Sequence, residues 1–592
     1  MTQDQHENLL RIYYREALSK TRAYLESRYK IDNDLGNDKD AKHVHQLNPT
    51  STIWRITATG IKRSFTFLVA IPPTFPDNLP KFYLTEKDFL DFGFIPHVDK
   101  NRFVCTRDPA VVVLNDSYPG EALEKLLQIA IQILEVGLKG ESQQDFENEF
   151  LAYWNEHTEL QTIMIDKIPK TPSVLIQYEV KPQLFGASFL IATSKSSARS
   201  WITRLRVEIK LDNANKVLCL QLPKIPESVP MTNGDIKRII NGLDKESAKS
   251  IRSFHGNIIL ACVPINRELV LISWRHPDFP VKGFRTRSKS IPLYLRISTR
   301  NFEFADIKKF RVRRFDRVRL VKRAVDMSII TKDHLKLAIV GCGSIGSVLT
   351  MLLARSGCSL FTLVDPEDLT EENVARHLCG CHALATTSKK VMAVKSTLES
   401  HLPFVSCNAY DKDVLDILIT GPQVFDDAEL LIIAVANMAT ERRINDFFVL
   451  ERPKRVVYLW LEPYGVAGHI LYISPNNGGC YRCCFNSHGD FRFAVIAKNQ
   501  DFVRREAGCQ QSFTPYGAAD LEMFCAIACK EIIRLIQEPP TQSILLTWIG
   551  DKEKFQLAGY KISDNYAAHD SYSLHKRDIA KIGTCETCKK KG

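Results

Sequence analysis

Between Leu335 and Lys395 the chain has little freedom in its local fold. An apolar run, Leu337-Ala338-Ile339-Val340, enters Gly341-Cys342-Gly343-Ser344-Ile345-Gly346 directly and leaves it as Ser347-Val348-Leu349-Thr350-Met351-Leu352-Leu353-Ala354, apolar at helical spacing. This pattern predicts strand, turn and helix. Gly341 and Gly343 permit a tight turn that a phosphate can approach closely. Gly346 lets the helix pack on the sheet, and the helix N-terminus presents unpaired N–H groups to an anion. Gly357 ends the helix, and Ser359-Leu360-Phe361-Thr362-Leu363-Val364 predicts a second strand closed by Asp365, whose carboxylate can accept hydrogen bonds from ribose hydroxyls. These residues indicate a nucleotide without saying which.

The next residues narrow the choice. Asn373, Arg376 and His377 follow Asp365, and Ser388-Lys389-Lys390-Val391 comes after them, so an amide, a guanidinium and an ammonium fall within one excursion of the glycine turn. Hydride transfer has no use for such a set, whereas ATP cleavage between the α- and β-phosphates needs preorganised cations for the charge that grows on both fragments. Here the chain resembles the ThiF/MoeB/ubiquitin-activating superfamily, which carries an Asp, then Asn-x-x-Arg, then a Lys before a helix. The resemblance implies a Rossmann-like adenylation domain in which Asp365 holds the ribose of ATP and Asn373, Arg376 and Lys390 hold the phosphates, with Lys389 or Lys395 as alternatives to Lys390. One departure stands out. Where the family has an Asp before Asn to hold Mg²⁺, the run Leu430-Leu431-Ile432-Ile433-Ala434-Val435 ends in Ala436-Asn437, leaving Asp426, Asp427 or Glu441 as candidate oxygen ligands, or ATP itself.

A chain of 592 residues has room for about three to four domains. With 45% hydrophobic and 25% charged residues, no apolar run of membrane-spanning length and no signal-peptide pattern at Met1–Leu9, it is expected to be cytoplasmic. A net charge of +11 spread over that length points to a solvated surface rather than to nucleic-acid binding. Sixteen cysteines in such a chain predict buried thiols, metal ligands and nucleophiles rather than disulfides.

Near the N-terminus the pattern predicts an amphipathic helix over 7–29, strands at 51–59 and 63–70 joined around Gly60, a proline-rich loop from Ile71 to Pro80, a strand over 81–84 and a helix over 121–136. Pro96-His97-Val98 precedes Cys105 by eight residues in the His numbering. This order resembles the ubiquitin-conjugating fold, an α+β domain whose His-Pro-Asn turn precedes its acceptor cysteine; Cys105 is the implied acceptor, and the Asn of that turn is missing. Arg102 and Arg107 beside Cys105 predict a thiol that ionises easily. Residues 161–315 read as a β-rich connecting domain without a site motif, with Cys219 and Cys262 in its core and a basic run, Lys308 to Arg314, expected to be a solvated face.

Cys480-Tyr481-Arg482-Cys483 and Cys585-Glu586-Thr587-Cys588 are two Cys-x-x-Cys knuckles, roughly a hundred residues apart. Four thiolates suit a tetrahedral structural Zn²⁺, with Cys484 an alternative to Cys483 and redox thiols an alternative to zinc. Cys509, in a loop of small and polar residues before an apolar helix over 522–536, suits a thiolate nucleophile, and activating enzymes keep such a cysteine in a crossover loop at this position. Cys525 and Cys529 are expected in the core.

Taken together, residues 1–160, 161–315 and 316–592 resemble bacterial activating–conjugating fusions of the anti-phage CBASS type. The resemblance implies ATP-dependent adenylation of a protein's C-terminal carboxylate, capture by Cys509, transfer to Cys105 and attack by a target amine. It further implies a cGAS/DncV-like nucleotidyltransferase as the activated protein, ATP with Mg²⁺ and structural Zn²⁺ as cofactors, and a homodimer. A sulfur-transfer adenylyltransferase, a nicotinamide-dependent dehydrogenase and a non-catalytic zinc-bound scaffold are the competing readings.

Overall fold

The computed structural model describes residues 3–32, 35–156, 158–266, 268–279, 291–300, 302–324, 334–505 and 512–590. The chain forms two compact units, one of residues 1–161, 170–174 and 216–312, the other of residues 162–169, 175–215 and 313–592. The segment 161–315 is therefore divided between them.

In the first unit the helix Gln3–Glu26 precedes a five-stranded antiparallel sheet in which Lys30–Asp32, Thr52–Thr59, Ser64–Ile71, Lys81–Leu84 and Phe103–Val104 lie side by side in chain order. Gly60 closes the hairpin, its N–H donating to the Arg63 carbonyl at 2.8 Å while Thr59 pairs with Ser64. The predicted helix over 121–136 runs from Pro119 to Leu138 and buries Leu123, Leu126, Leu127, Ala130 and Leu134 against the sheet. Glu124 on it accepts from Tyr24 and Tyr29 at 2.7 and 2.9 Å, which ties down the end of the first helix. The helix Gln143–Glu156 turns Phe146, Phe150, Tyr153 and Trp154 into a second core with Trp274, Ile272 and Ile259. Cys219 and Cys262 lie in that region's strands as expected, with Sγ atoms 3.8 Å apart. The basic run is a strand, Lys308–Arg314, in which Lys308 and Arg311 are exposed as expected, whereas Lys309 is buried over the Trp154 ring and Arg314 pairs with Asp316 at 2.8 Å.

The second unit is built on an eight-stranded sheet. Its order is Ser406–Tyr410, Leu360–Val364, Lys336–Val340, Leu430–Ile433, Val456–Leu461, Ala467–Ile473, Ile544–Ile549 and Leu574–Asp578, the first five parallel and the rest antiparallel. Successive connections from Lys336–Val340 run first to one side of it and then, at Leu430–Ile433, to the other. A crevice opens at such a reversal, at the carboxyl ends of the strands. The helices Ser344–Arg355 and Ala518–Gln537 cover one face, where Leu349, Leu353, Phe524, Cys525, Ala528 and Cys529 are buried together. Among the described residues no helix is long and apolar enough to cross a membrane.

Candidate active site

The glycine turn sits at the sheet's reversal point. Val340 ends one strand beside Ile433 of its neighbour, so Gly341 and Ala434 emerge together. Gly341 has φ +92°, and a Cβ there would lie 2.5 Å from the Ala434 carbonyl oxygen. A Cβ on Gly346 would lie 1.9 Å from the Gly341 carbonyl oxygen, whereas one on Gly343 would meet nothing within 4 Å. Thus two glycines are demanded by close packing within the turn, and the third marks its open flank.

Asp365 fastens this turn from the next strand. Its Oδ2 accepts from the Cys342 N–H at 2.6 Å and its Oδ1 from the Glu367 N–H at 2.8 Å. A carboxylate has about four acceptor positions, so ribose hydroxyls could still be received. Burial pushes the Asp365 carboxyl up, opposed by those two N–H donors and by Lys390. Lys390 is buried at the start of the helix Lys390–His401 and pairs with Glu367 at 2.5 Å. Lys389 instead pairs with Asp368 at 3.1 Å, and Lys395 is held by Glu399 and the Cys407 carbonyl. The charge of Lys390 acts on Asp365, Cys342 and His377.

Asn373 closes the short turn Glu371–Asn373, its Oδ1 accepting from the Thr370 N–H at 3.1 Å. Arg376 lies over the Tyr516 ring, 4.6 Å from its centre. His377, to which the sequence assigned no task, joins this loop to the glycine turn. Its Nδ1 accepts from the Cys379 N–H at 3.0 Å, so its Nε2 carries the proton and donates to the Cys342 carbonyl at 2.7 Å. Burial lowers its basicity and keeps it neutral.

Two of the three carboxylates considered for Mg²⁺ lie away from the glycine turn. Asp426 and Asp427 precede the amino end of Leu430–Ile433, the opposite end from Gly341, and pair with Arg452 and Lys336 at 2.5 and 3.5 Å. Glu441 is buried and accepts from the Tyr481 hydroxyl. Asn437 caps the helix Met438–Asp446 through the Ala439 and Thr440 N–H groups.

Sγ atoms of Cys480, Cys483, Cys585 and Cys588 all lie within 4.8 Å of one another, with 480–585 and 483–588 separations of 3.5 Å and a 480–483 separation of 4.0 Å. A tetrahedron of Zn–S bonds near 2.3 Å has edges of about 3.8 Å, so the four thiols fit the ion. Cys484 is buried outside the group. Asp446 braces both knuckles: it receives Arg482 at 2.8 and 2.6 Å and the Thr587 hydroxyl at 2.6 Å.

Cys509 lies outside the described residues. The chain on either side of it pairs, Arg504 with Phe513 and Arg505 with Ser512. Tyr464 fastens both sides, its hydroxyl accepting from Arg504 at 2.7 Å and its N–H donating to the Pro515 carbonyl at 2.6 Å.

Cys105 follows the short strand Phe103–Val104, half-buried, its N–H donating to the His97 carbonyl at 2.8 Å. The expectation of easy ionisation is overturned. Arg102 is turned away into a buried ion pair with Asp40, and burial together with Glu149, Asp108 and Asp99 pushes the Cys105 thiol up. His97 has φ +67°, a left-handed conformation uncommon outside glycine. It is held by the Tyr153 hydroxyl, which accepts its N–H at 2.9 Å, and by Glu149 Oε1, 3.0 Å from its Nδ1.

Two stretches of the chain match known families. Residues 330–561 match the ThiF family and residues 33–163 the Prokaryotic E2 family B. The ATP-dependent ubiquitin transferase-like protein Cap2 of Pseudomonas aeruginosa is 23% identical over 463 residues, 76% of this chain and 81% of that protein. The ubiquitin-like modifier-activating enzyme 5 of Bombyx mori is 26% identical over 25% of this chain and 39% of its own length. Among solved structures, MccB of Escherichia coli with ATP is 15% identical over 44% of this chain and 70% of that one, with a TM-score of 0.31. The chain therefore joins, in one polypeptide, an ATP-dependent adenylyltransferase domain of the ThiF family to an E2 domain of the prokaryotic family B.

Proposed function

We propose that this protein activates the C-terminal carboxylate of a partner protein as an acyl-adenylate, captures it on Cys509, passes it to Cys105 and joins it to an amine of a target. The observation that carries this reading is the presence of a ThiF domain and an E2 domain in the same chain, the second with a cysteine just after a strand and beside a tightly held histidine. Carboxylates do not acylate amines near neutral pH without activation. Adenylation supplies a leaving group, and each thioester keeps the acyl group reactive toward the next nucleophile. Fusion makes the passage between cysteines intramolecular.

In this scheme Asp365 holds the ribose, and Asn373, Arg376 and Lys390 hold the phosphates around the glycine turn of Gly341, Gly343 and Gly346. Bound Mg²⁺ would offset phosphate charge, mostly through oxygens of ATP. Zn²⁺ would hold the C-terminal knuckle to the sheet through Cys480, Cys483, Cys585 and Cys588. The resemblance to bacterial activating–conjugating fusions would make the activated group the tail of a cGAS/DncV-like nucleotidyltransferase, in anti-phage defence, and the assembly a homodimer. Incubation with ATP and candidate tails, followed by non-reducing peptide mass spectrometry, should find acyl adducts on both Cys509 and Cys105. Conjugates formed at the normal rate by Cys509→Ala or Cys105→Ala chains would defeat the scheme.

A further inference from the structure

The E2 domain departs from the ubiquitin-conjugating pattern at the point where its chemistry needs help. Val98 and Asp99 follow His97, in place of the Pro and Asn whose amide stabilises the oxyanion of thioester aminolysis. Something else must face that charge. The structure places a helix from outside the motif against this turn: Gln143–Glu156 sends Glu149 and Tyr153 to His97. Tyr153 donates to Glu149 Oε2 at 2.6 Å and accepts the His97 N–H, so the three residues form a closed set.

We propose that Glu149 is a positioning residue for transfer from Cys105, holding His97 as the imidazolium that hydrogen-bonds the oxyanion when an amine attacks the thioester. This rests on the reading of Cys105 as the acceptor cysteine. Four observations support it. His97 is tied to Cys105 through its own carbonyl, and its left-handed backbone is a conformation kept only where surrounding groups hold it. Glu149 Oε1 is 3.0 Å from Nδ1, an arrangement that stabilises the protonated ring, and Asp145 stands 3.9 Å from Nε2. The Glu149 carboxylate beside Nδ1 raises the imidazole above its ordinary value, against the opposing effect of burial. Burial pushes the Glu149 carboxyl up, but His97 and Tyr153 outweigh it and keep it ionised.

The step balances without an added reagent. The amine nitrogen bonds to the acyl carbon, the carbonyl oxygen takes the negative charge, and collapse breaks the carbon–sulfur bond. The proton lost by the amine ends on the departing Cys105 sulfur, a thiol that burial and the carboxylates of Glu149, Asp108 and Asp99 keep protonated. His97 retains its own proton throughout.

Around His97 the titratable groups are Asp145, Glu149, Tyr153 and Glu156 on the helix, and Asp99, Lys100, Cys105 and Asp108 in the neighbouring loop. Without Glu149 the imidazole loses its main source of stabilised charge, so it deprotonates at lower pH.

The test bypasses ATP and the upstream cysteine. The full chain is acylated with the mercaptoethanesulfonate thioester of N-acetylglycine, the Cys105 adduct is quantified by peptide mass spectrometry, and its discharge by hydroxylamine is followed per loaded thioester between about pH 5.5 and 9. Discharge from Glu149→Gln should be about tenfold slower near neutrality and should fall off at lower pH than in the unaltered chain. His97→Gln should be slow, about a hundredfold, and free of that pH dependence. Because Glu149 acts through His97, the double variant should be no slower than His97→Gln alone. An unchanged rate and pH profile in Glu149→Gln, or additive losses in the double variant, would overturn the inference while leaving Cys105 as acceptor. If Cys105 in the unaltered chain takes no acyl group, the acceptor reading falls and this inference with it.

Discussion

Two lysines adjacent in sequence have been given different work. Lys389 is paired with Asp368 at the surface, while Lys390 enters the helix Lys390–His401 and lies buried, where its charge reaches Asp365 and the glycine turn. Lys390→Ala should lower ATP–pyrophosphate exchange about a hundredfold, by the loss of a preorganised cation, and Lys389→Ala should leave it within about twofold. Equal losses from the two would remove Lys390 from the phosphate site. At Cys105 the surroundings make the opposite of an activated thiol. Since its folded-state pKa is raised by burial and then by three carboxylates, the thiolate is scarce near neutrality and grows as pH rises. Iodoacetamide labelling of Cys105 should therefore be slow at pH 7 and climb steeply above about pH 8.5, the value of a free thiol. Labelling that is already maximal at pH 7 would contradict this.

Among elements, the strand–turn–helix unit around Gly341 shows how packing fixes a local conformation. The helix Ser344–Arg355 buries Leu349 and Leu353 against the sheet, and its first turn is pulled so close that Gly346 nearly touches the Gly341 carbonyl. Backbone, not a flexible side chain, is what a methyl group would meet there. Gly346→Ala should abolish ATP–pyrophosphate exchange and destabilise the fold by about 1–3 kcal/mol, read as a lower thermal midpoint for the full chain. A variant with normal exchange would show that the turn has room the structure does not provide. The helix Met438–Asp446 has a comparable constraint of its own, because Asp446 at its end must meet Arg482 and Thr587 together.

For the whole molecule, the zinc group matters because its two halves come from opposite ends of a long excursion. Cys480 follows the strand Ala467–Ile473, and Cys585 follows Leu574–Asp578 at the far edge of the same sheet. Asp446→Ala should weaken zinc binding about 10–100-fold in a chelator competition, as loss of a bracing outer partner does, while leaving the four cysteines in place. Retained affinity would reduce Asp446 to an ordinary surface ion pair. What the sequence determined by itself were features written in short spacings: the glycine turn with its following helix, the hairpin at Gly60, the proline-rich loop and the two Cys-x-x-Cys knuckles. Each depends on backbone conformations or side chains within a few residues, so local pattern suffices. Only the tertiary structure decided the spacing of the four knuckle thiols and the exclusion of Cys484, the role of His377 as a tie between two loops, the rejection of Asp426 and Asp427 as metal ligands, and the approach of Glu149 to His97. These depend on which strand ends and helix faces meet across tens of residues, and burial then alters their charge, as it does at Cys105, in a direction that the neighbouring arginines in the sequence do not foretell.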